Sequence, residues 1–334
     1  MENQAPNPIM PAAVAYVLTH RLPCAALMLV MMMAAIWLPV LLQGLPPFMI
    51  MLVATLGLGL HILTPALIAL ITFGGGMVFA VQVAAIAAVA VTALAGFSLL
   101  PGLIALLVYG LIPIGAALTM MRADGVKRSA QLLALLLGAL VFFGLMITAM
   151  VQDMGLRELI GQMLAPMFDE VLTQMPATEV EARQMLEQAR QTMISVLPGL
   201  IALGLWFTWW GDLVMARNIA RRYDFYRGDV SGLLDLNLGK AMAYAFLGML
   251  LLINLGEGDL SYFAANAAIL SGGLLATQGI AVVHSWMKAK GMNLSIGLMY
   301  LLLLIWSIMI VPFVIVGLLD IWFDYRRNIP AAGG

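Results

Sequence analysis

The chain has 334 residues, of which 63% are hydrophobic and only 10% are charged, and its mean hydropathy is +1.02. A soluble domain carries charge on about a quarter of its residues, so this composition indicates a protein of the lipid bilayer. The formal net charge is −1, and the 16 lysines and arginines are scattered along the chain. That pattern excludes a nucleic-acid-binding protein.

Residues 22–121 form an unbroken run without Asp, Glu, Lys or Arg. One crossing needs about 20 apolar residues, so this run must cross the bilayer several times. Proline and glycine clusters divide it into four predicted spans, which are 24–43, 47–73, 77–99 and 102–121. An alternative division into five spans places a short helix around 47–60, marked by Gly57, Gly59 and Pro65.

Charged residues bracket five further apolar stretches in the rest of the chain, at 129–151, 192–216, 240–255, 260–287 and 293–319. The predicted fold is therefore an all-α, polytopic transmembrane bundle of about nine spans, with a range of eight to ten. The predicted organisation comprises a polar N-terminal leader, a first bundle, an amphipathic segment, a second bundle and a polar tail, at 1–23, 24–151, 152–191, 192–319 and 320–334. The first apolar stretch is too long for a signal peptide, so it is interpreted as the first span.

The basic residues predict the orientation, because cytoplasmic loops are enriched in Lys and Arg. They place the 122–128 and 217–239 loops in the cytoplasm. Segment 152–191 contains seven acidic and three basic residues, so we expect it on the other side. Arg326 and Arg327 conflict with this scheme, because one further span would place them outside. Either the C-terminus violates the rule or an upstream segment is re-entrant.

The extracytoplasmic segment is predicted to be an amphipathic helical hairpin. From Leu156 its apolar residues recur every three or four positions, and Pro176 ends this first helix. Thr178 stands three residues before Glu181, the spacing of a capping box that begins a second helix. The hairpin packs on the membrane surface or against its own spans, or alternatively it forms a lid over a cavity.

Polar residues within the spans are the candidates for ligand binding. His61 lies in the uncharged run near Pro65, where a broken helix could line a cavity; otherwise it meets water at a helix end. Asn266, Ser271 and Gln278 share the predicted helix 260–287 with several glycines. Such groups serve as hydrogen bonds between helices or as ligand contacts, and the sequence leaves both alternatives open.

Basic helix ends are the candidates for contacts with lipids or partners. A span leaves the membrane in a basic helix, and His284 lies near Lys288 in the same kind of position. The candidate contact residues are Arg217, Asn218, Arg221, Arg222 and His284. Anchoring to headgroups and control of topology are the alternative interpretation.

Signatures of catalysis are absent from the sequence. It contains no phosphate-binding loop, no His-Glu-x-x-His zinc motif and no Gly-x-Ser-x-Gly motif. Cys24 is the only cysteine, and the three histidines are far apart in the chain. We therefore expect no enzyme, no catalytic residue, no bound metal and no cofactor.

Two stretches of the C-terminal half resemble a known family. They are QGIAVVHSW over 278–286, with Lys288 and Gly291 behind it, and GLLDIWFDYRR over 317–327. These stretches and the Arg217 to Arg222 helix resemble the uncharacterised bacterial membrane family typified by the YybS protein. That family is distantly similar to the S components of energy-coupling-factor transporters, which are six-helix bundles. The part of this chain that resembles S components is the first bundle, 24–151, with its apolar helices separated by glycines. The additional spans and the acidic hairpin depart from the S-component pattern.

The resemblance implies a multi-pass protein of the bacterial plasma (inner) membrane. The first function hypothesis is binding of a small or lipidic ligand in the bundle as part of its uptake or transport. The second is a non-transporting scaffold or assembly protein that docks partners through its basic cytoplasmic loops. The expected partners are membrane lipids and, in the second hypothesis, a cytoplasmic or membrane protein; no nucleic acid is expected.

Overall fold

The computed structural model describes residues 10–42, 44, 46–176 and 179–328. In these residues the chain forms helices and no strand. The α-helices are α1 (Ala12–Thr19), α2 (Arg21–Leu41), α3 (Pro47–Ile62), α4 (Thr64–Leu94), α5 (Leu99–Ile104), α6 (Ile112–Met120), α7 (Gly125–Val151), α8 (Leu156–Gln174), α9 (Val180–Arg222), α10 (Gly239–Leu255), α11 (Gly258–Ala289), α12 (Asn293–Ile305) and α13 (Ile310–Phe323). A π-helical segment, Ala105–Leu111, joins α5 to α6. Thr178 of the predicted capping box lies outside the described residues.

Six helical stretches of the described chain are long and apolar enough to cross a membrane: Arg21–Leu41, Pro47–Leu94, Leu99–Met120, Gly125–Val151, Val180–Arg222 and Gly258–Ala289. The number is seven if the bent pair α12 and α13 counts as one span. Helix α10 is apolar but has only 17 residues. The prediction of an all-helical protein with multiple apolar helices is therefore confirmed.

The chain separates into two compact units. The first comprises Met1–Leu133 and Phe207–Ser231, and the second comprises Ala134–Trp206 and Gly232–Gly334. Helix α9 thus contributes residues to each unit.

In the first unit, the stretch Pro47–Leu94 is not one straight helix. Gly76 has φ 77° and ψ 177°, a conformation that glycine adopts readily and other residues rarely do. Tyr109 bonds to His61, and the next residue, Gly110, contacts Ala84. His61 and Ala84 would be about 34 Å apart along a straight helix. The chain must therefore bend sharply, and Gly76 is where the helical backbone is interrupted. This is the boundary that the glycines at 74–76 predict.

The core of the first unit is formed by small and flexible side chains. Cys24 and Met28 of α2 are fully buried against α4, where Ile68, Val83 and Ala84 are fully buried too. Alanine and methionine suit this packing, because small residues let helices approach closely and methionine fills irregular gaps.

The described part of the predicted N-terminal leader, from residue 10 onward, contains a helix. Residues 12–19 form α1, a short apolar helix that ends where His20 adopts extended angles and α2 begins. Val14 and Tyr16 are exposed, whereas Leu18 packs against the core of the first unit. The sequence interpretation did not predict this helix.

In the second unit, the amphipathic helix α8 packs on the protein's own helices. Ile160, Leu164 and Phe168 are buried on one face. The residues that pack against them, from α7 and α9, are Leu145, Leu186, Met193, Ile194 and Leu197. Met163 and Met167 on the remaining face are more than half exposed. Within the described residues, the predicted second helix of the hairpin continues into the next span as the single helix α9.

The single span predicted over 293–319 is two helices. Helix α12 ends at Ile305, α13 begins at Ile310, and the axes are bent by 119°. Pro312 explains the break: it has no N–H to donate, and its ring clashes with the carbonyl four residues earlier. The sequence interpretation did not take Pro312 into account.

Helices α11 and α13 touch through paired glycines. A Cβ atom on Gly279 would overlap the carbonyl oxygen of Phe313, and one on Gly317 would overlap the carbonyl oxygen of Leu275. Close approach of this kind is how helices associate in lipid. Replacing either glycine must push the two backbones apart.

We expect Gly279→Ala to lower the free energy of unfolding by about 2 kcal/mol, the cost of overpacking a tight contact. Gly248→Ala in α10 is the control, because nothing lies within 4 Å of its Cβ position. It should be neutral or stabilise the helix by about 0.5–1 kcal/mol. Denaturant unfolding in detergent measures both variants, and equal losses would contradict the proposed contact.

Candidate functional site

His61 is a bridge between three helices of the first unit. Its Nδ1 lies 2.8 Å from the carbonyl oxygen of Met32 in α2, and because a carbonyl only accepts, Nδ1 carries the proton. The Tyr109 hydroxyl then donates to Nε2 at 2.7 Å. Both ring nitrogens are engaged, so in this geometry His61 holds helices together and offers neither nitrogen to a ligand.

Asn266 repairs an interruption in α9. Pro198 lies inside that helix and has no N–H with which to continue the helical ladder. The Asn266 side chain accepts a bond from the N–H of Gly199 at 2.7 Å and donates one to the carbonyl of Ser195 at 2.9 Å. These two backbone groups would be partners in an uninterrupted helix, so the amide is inserted between them.

Tyr262 satisfies another backbone group at the same interruption of α9. In a regular helix the carbonyl of Ile194 would accept the N–H of residue 198. Residue 198 is a proline and has no N–H, so this carbonyl lacks its helical partner. The Tyr262 hydroxyl donates to it at 3.0 Å. Asn266 is fully buried and also donates to the carbonyl of Tyr262 at 2.9 Å. Backbone groups in lipid need such partners because no water reaches them.

Gln278 belongs to a buried polar network. Its Oε1 accepts the N–H of Leu238 at 2.8 Å, and its Nε2 donates to Oδ2 of Asp320 at 2.8 Å. Arg326 donates to the same carboxylate oxygen at 2.7 Å. Its guanidinium also donates to the carbonyls of Leu234 and Leu236. Gln278 and Asp320 are both 0% exposed, so the network fastens the end of α13 to the start of α10.

Ser271 and His284 make simpler contacts. The Ser271 hydroxyl donates to the carbonyl of Ala267, one turn back in its own helix, at 2.7 Å. His284 Nδ1 and the Tyr300 hydroxyl are hydrogen-bonded at 3.1 Å. Of the four ligand-binding candidates, His61 lies in the first unit, and Asn266, Ser271 and Gln278 lie on α11 in the second. The polar groups described for the four are engaged in contacts within or between helices.

The candidate contact residues at the end of α9 are one buried arginine and three exposed polar residues. Arg217 is 1% exposed, and its Nη2 donates to the carbonyls of Asp229 and Ser231, the former at 2.8 Å. Its guanidinium also lies over the ring of Tyr226 at 5.5 Å. Asn218, Arg221 and Arg222 are exposed. Arg217 therefore holds the 223–231 loop, whereas the other three face outward.

Asp229 fastens the same loop to the start of α7. Its carboxylate accepts the N–H and the hydroxyl of Ser231 at 3.0 and 2.7 Å, and the N–H of Gly125 at 3.1 Å. Bonds from Ser231 are the main reason that the pKa of Asp229 is lowered, and Gly125 and Arg217 add to the effect. All of these groups stabilise the ionised carboxylate.

We expect the loop to lose stability in acid. A carboxylate with a lowered pKa contributes stability above its unfolded value of about 3.9, and this stability is lost as the pH falls through the folded value. Thermal unfolding of the purified protein should therefore depend less on pH between 3 and 5 in Asp229→Asn than in the wild type. Asp235→Asn, in the next part of the loop, is the control. A pH dependence in Asp229→Asn identical to that of the wild type would contradict the assignment.

A cleft of about 310 Å³ lies at one end of the first unit. One face of α1, the middle of α4 and one loop residue form its walls. The lining residues are Met10, Ala15, Leu18, Thr19, Leu70, Ile71, Gly74, Gly75, Phe79 and Phe225. The interruption at Gly76 adjoins the cleft, because Gly74 and Gly75 are among its lining residues.

The wall formed by Phe225 depends on a glycine. A Cβ on Gly74 would lie 3.1 Å from the Phe225 ring, so the ring rests directly on the helix backbone. The next residue, Tyr226, packs edge-on against Phe73 and donates its hydroxyl to the carbonyl of Met120. The 223–231 loop, the end of α6 and the turn at Gly76 thus meet at the same end of the unit.

The lining offers almost no polar group. Among the described lining residues, Thr19 is the only one with a polar side chain, and its hydroxyl donates to the carbonyl of Ala15 at 2.7 Å. The volume lies at the lower limit of ligand pockets, which is about 300 Å³. The cleft therefore suits one apolar group rather than a large polar molecule.

Several of these features were missing from the sequence predictions. Tyr109 was overlooked, although it is the only tyrosine in the uncharged run and His61 the only histidine there; buried single polar residues need partners. Asp320 was noted only as part of a family resemblance, and Arg326 was noted there and as a conflict with the predicted orientation, so their pairing was not predicted. The sequence contains no feature that predicts the cleft other than the glycines at 74–76. Within the described residues, no group of three or more His, Cys, Asp or Glu side chains could hold a metal ion.

Comparison with known proteins places the chain in a family. No curated protein and no solved structure matches it. Residues 47–321 match the family described as "Predicted membrane protein (DUF2232)". The match extends from the start of α3 almost to the end of α13 and so covers most of the chain. This protein therefore belongs to the DUF2232 family of membrane proteins.

Proposed function

We propose that this protein binds one small apolar or lipidic ligand in the cleft of its first unit, as part of the uptake or passage of that ligand. The observation that carries the proposal is the cleft itself, with its apolar walls beside an interrupted helix. The lining residues that the structure describes include no cysteine, histidine, lysine or carboxylate, so binding rather than catalysis is proposed.

The polar residues that the sequence analysis named as ligand-binding candidates are not part of the proposed site. The contacts of His61, Asn266 and Gln278 join helices, and groups with satisfied hydrogen bonds gain little by turning to a ligand. The resemblance of the N-terminal half to S components, which bind small molecules among their helices, supports a binding role for the unit that contains the cleft.

The experiment that tests binding fills the cleft. Leu18→Trp places a large ring in the lining, and Leu22→Trp, at a residue that is 71% exposed, is the control. Native mass spectrometry of the purified protein with bilayer lipids should show a bound lipid in the wild type and in Leu22→Trp, and about tenfold less in Leu18→Trp. Equal occupancy in all three proteins would overturn the proposal.

We also propose a topology of eight complete crossings, with both termini in the cytoplasm. The bend at Gly76 divides Pro47–Leu94 into two crossings, so the six long apolar stretches supply seven crossings. The short helix α10 is the additional one, which brings the total to eight. Arg326 contacts Leu234 and Leu236, so the C-terminus lies beside a loop that its basic flank predicts to be cytoplasmic. Helices α12 and α13, whose axes are bent by 119°, then form a re-entrant segment, which is one of the two alternatives that the charge pattern leaves open.

A fluorescent protein that matures only in the cytoplasm tests this topology. Fused after residue 334, it should fluoresce. Fused into the turn at residues 152–155, which the same scheme places outside, it should stay dark. A C-terminal fusion that does not fluoresce would place the C-terminus outside the cytoplasm and would favour nine crossings.

A second candidate function is docking of a cytoplasmic partner. It is favoured by the outward-facing side chains of Asn218, Arg221 and Arg222. Arg221→Gln with Arg222→Gln removes two charges and leaves the buried Arg217 in place. Under this alternative, a partner that co-purifies with the wild type is lost from the double variant. Unchanged co-purification would exclude docking through these residues.

A further inference from the structure

The surroundings of the cleft indicate which lipid it takes. We propose that the cleft selects a bilayer lipid with an anionic headgroup, holding one acyl chain between α1 and α4 and the headgroup at Arg21 and Arg227. This inference rests on the proposed function, because it names the ligand class of the same cleft.

The apolar walls of the cleft are the reason for proposing an acyl chain as its occupant. Leu18, Leu70, Ile71 and Phe79 are apolar, and the one hydroxyl in the lining is bonded within α1. A ligand with polar groups along its length would leave them without partners here, which is costly. A cleft of about 310 Å³ has room for one chain, so the rest of the lipid must lie outside it.

Two arginines close in sequence to lining residues are the reason for proposing an anionic headgroup. Arg21 is two residues from the lining residue Thr19, and Arg227 is two residues from Phe225. Both arginines are exposed. Among the described residues, no salt bridge involves either guanidinium. Arg21 follows α1 and Arg227 lies in the 223–231 loop, so each arginine belongs to a segment that contributes a lining residue to the cleft, and both charges are available to an anion.

The position of the cleft supports the same assignment. Met120, Gly125 and the 223–231 loop contact one another at this end of the first unit. It is also the end whose basic residues predict the cytoplasmic face. Basic residues near a membrane surface attract anionic lipids. Arg217 does not belong to this set, because its buried guanidinium already holds the loop.

The test compares two probes with identical acyl chains, phosphatidylglycerol and phosphatidylcholine, by native mass spectrometry of the full chain. The wild type should bind phosphatidylglycerol about tenfold more tightly, given the attraction of two arginines. Arg21→Gln with Arg227→Gln should lose this preference and keep its affinity for phosphatidylcholine. Arg122→Gln with Arg128→Gln is the matched control: it removes two exposed charges from the same unit and should keep the preference.

The outcomes separate the inference from the proposed function. If the wild type binds both lipids equally and Leu18→Trp abolishes both, the cleft binds lipid but the headgroup assignment is wrong. If both arginine double variants lose the preference equally, net charge and not the cleft selects the lipid, and the inference is overturned. If Leu18→Trp changes neither lipid, both the inference and the proposed function are wrong.

Discussion

Asn266→Ala is expected to lower the free energy of unfolding of this protein by about 4 kcal/mol. The substitution leaves the N–H of Gly199 and the carbonyl of Ser195 without their partner, and a buried unsatisfied group costs about 1–3 kcal/mol. Pro198 prevents the helix from closing this gap by itself. Unfolding of the purified variant in mixed detergent micelles measures the loss.

The control for this prediction is Asn254→Ala. Asn254 is exposed, and its amide donates only to the carbonyl of Leu250 in its own helix. Removing it should change the stability by no more than about 0.5 kcal/mol. A similar loss in both variants would show that the inserted amide of Asn266 has no special role.

Asp320→Asn is expected to cost a similar amount, about 4 kcal/mol. The carboxylate is fully buried and accepts bonds from Gln278, Arg326 and the N–H of Tyr325. The substitution keeps the shape but leaves the Arg326 guanidinium, whose side chain is only 14% exposed, without a counter-charge. Breaking a buried ion pair by removing one partner costs about 3–5 kcal/mol.

The same chemical change at a nearby position serves as the control. Asp324 is exposed and has a left-handed backbone with φ 45°, which asparagine adopts more readily than most residues, so Asp324→Asn should be nearly neutral. Combining Asp320→Asn with Arg326→Gln should cost less than the two single variants together, because the lone charge is then gone. Strict additivity would contradict the pairing.

Much of the helical framework could be predicted from the sequence, because crossing a bilayer imposes length and composition directly. The uncharged run sets the apolar helices of the first unit, and the glycines at 74–76 mark the interruption that the structure has at Gly76. The break before α13 was missed because hydropathy averages over a window and gives no weight to a single proline such as Pro312.

The roles of the polar residues were harder to predict, because sequence spacing does not reveal what lies opposite a side chain. Asn266 was one of several candidates, and only the position of Pro198 in another helix explains it. Arg217 was grouped with Arg221 and Arg222 by proximity in the chain, although it is the buried one of the three. The cleft joins α1, α4 and a loop more than a hundred residues later, a distance that no local pattern spans.

The division of the first unit into two pieces of chain has a consequence for biosynthesis. Phe225 and its loop belong to the second piece, Phe207–Ser231, and residues 134–206 are made between the two. At a translation rate of about 5–20 residues per second, that interval lasts about 4–15 s. During this time the first piece of chain exists without Phe225, so the wall that this ring forms is missing from the cleft. The cleft therefore becomes complete only when Phe225 has been synthesised.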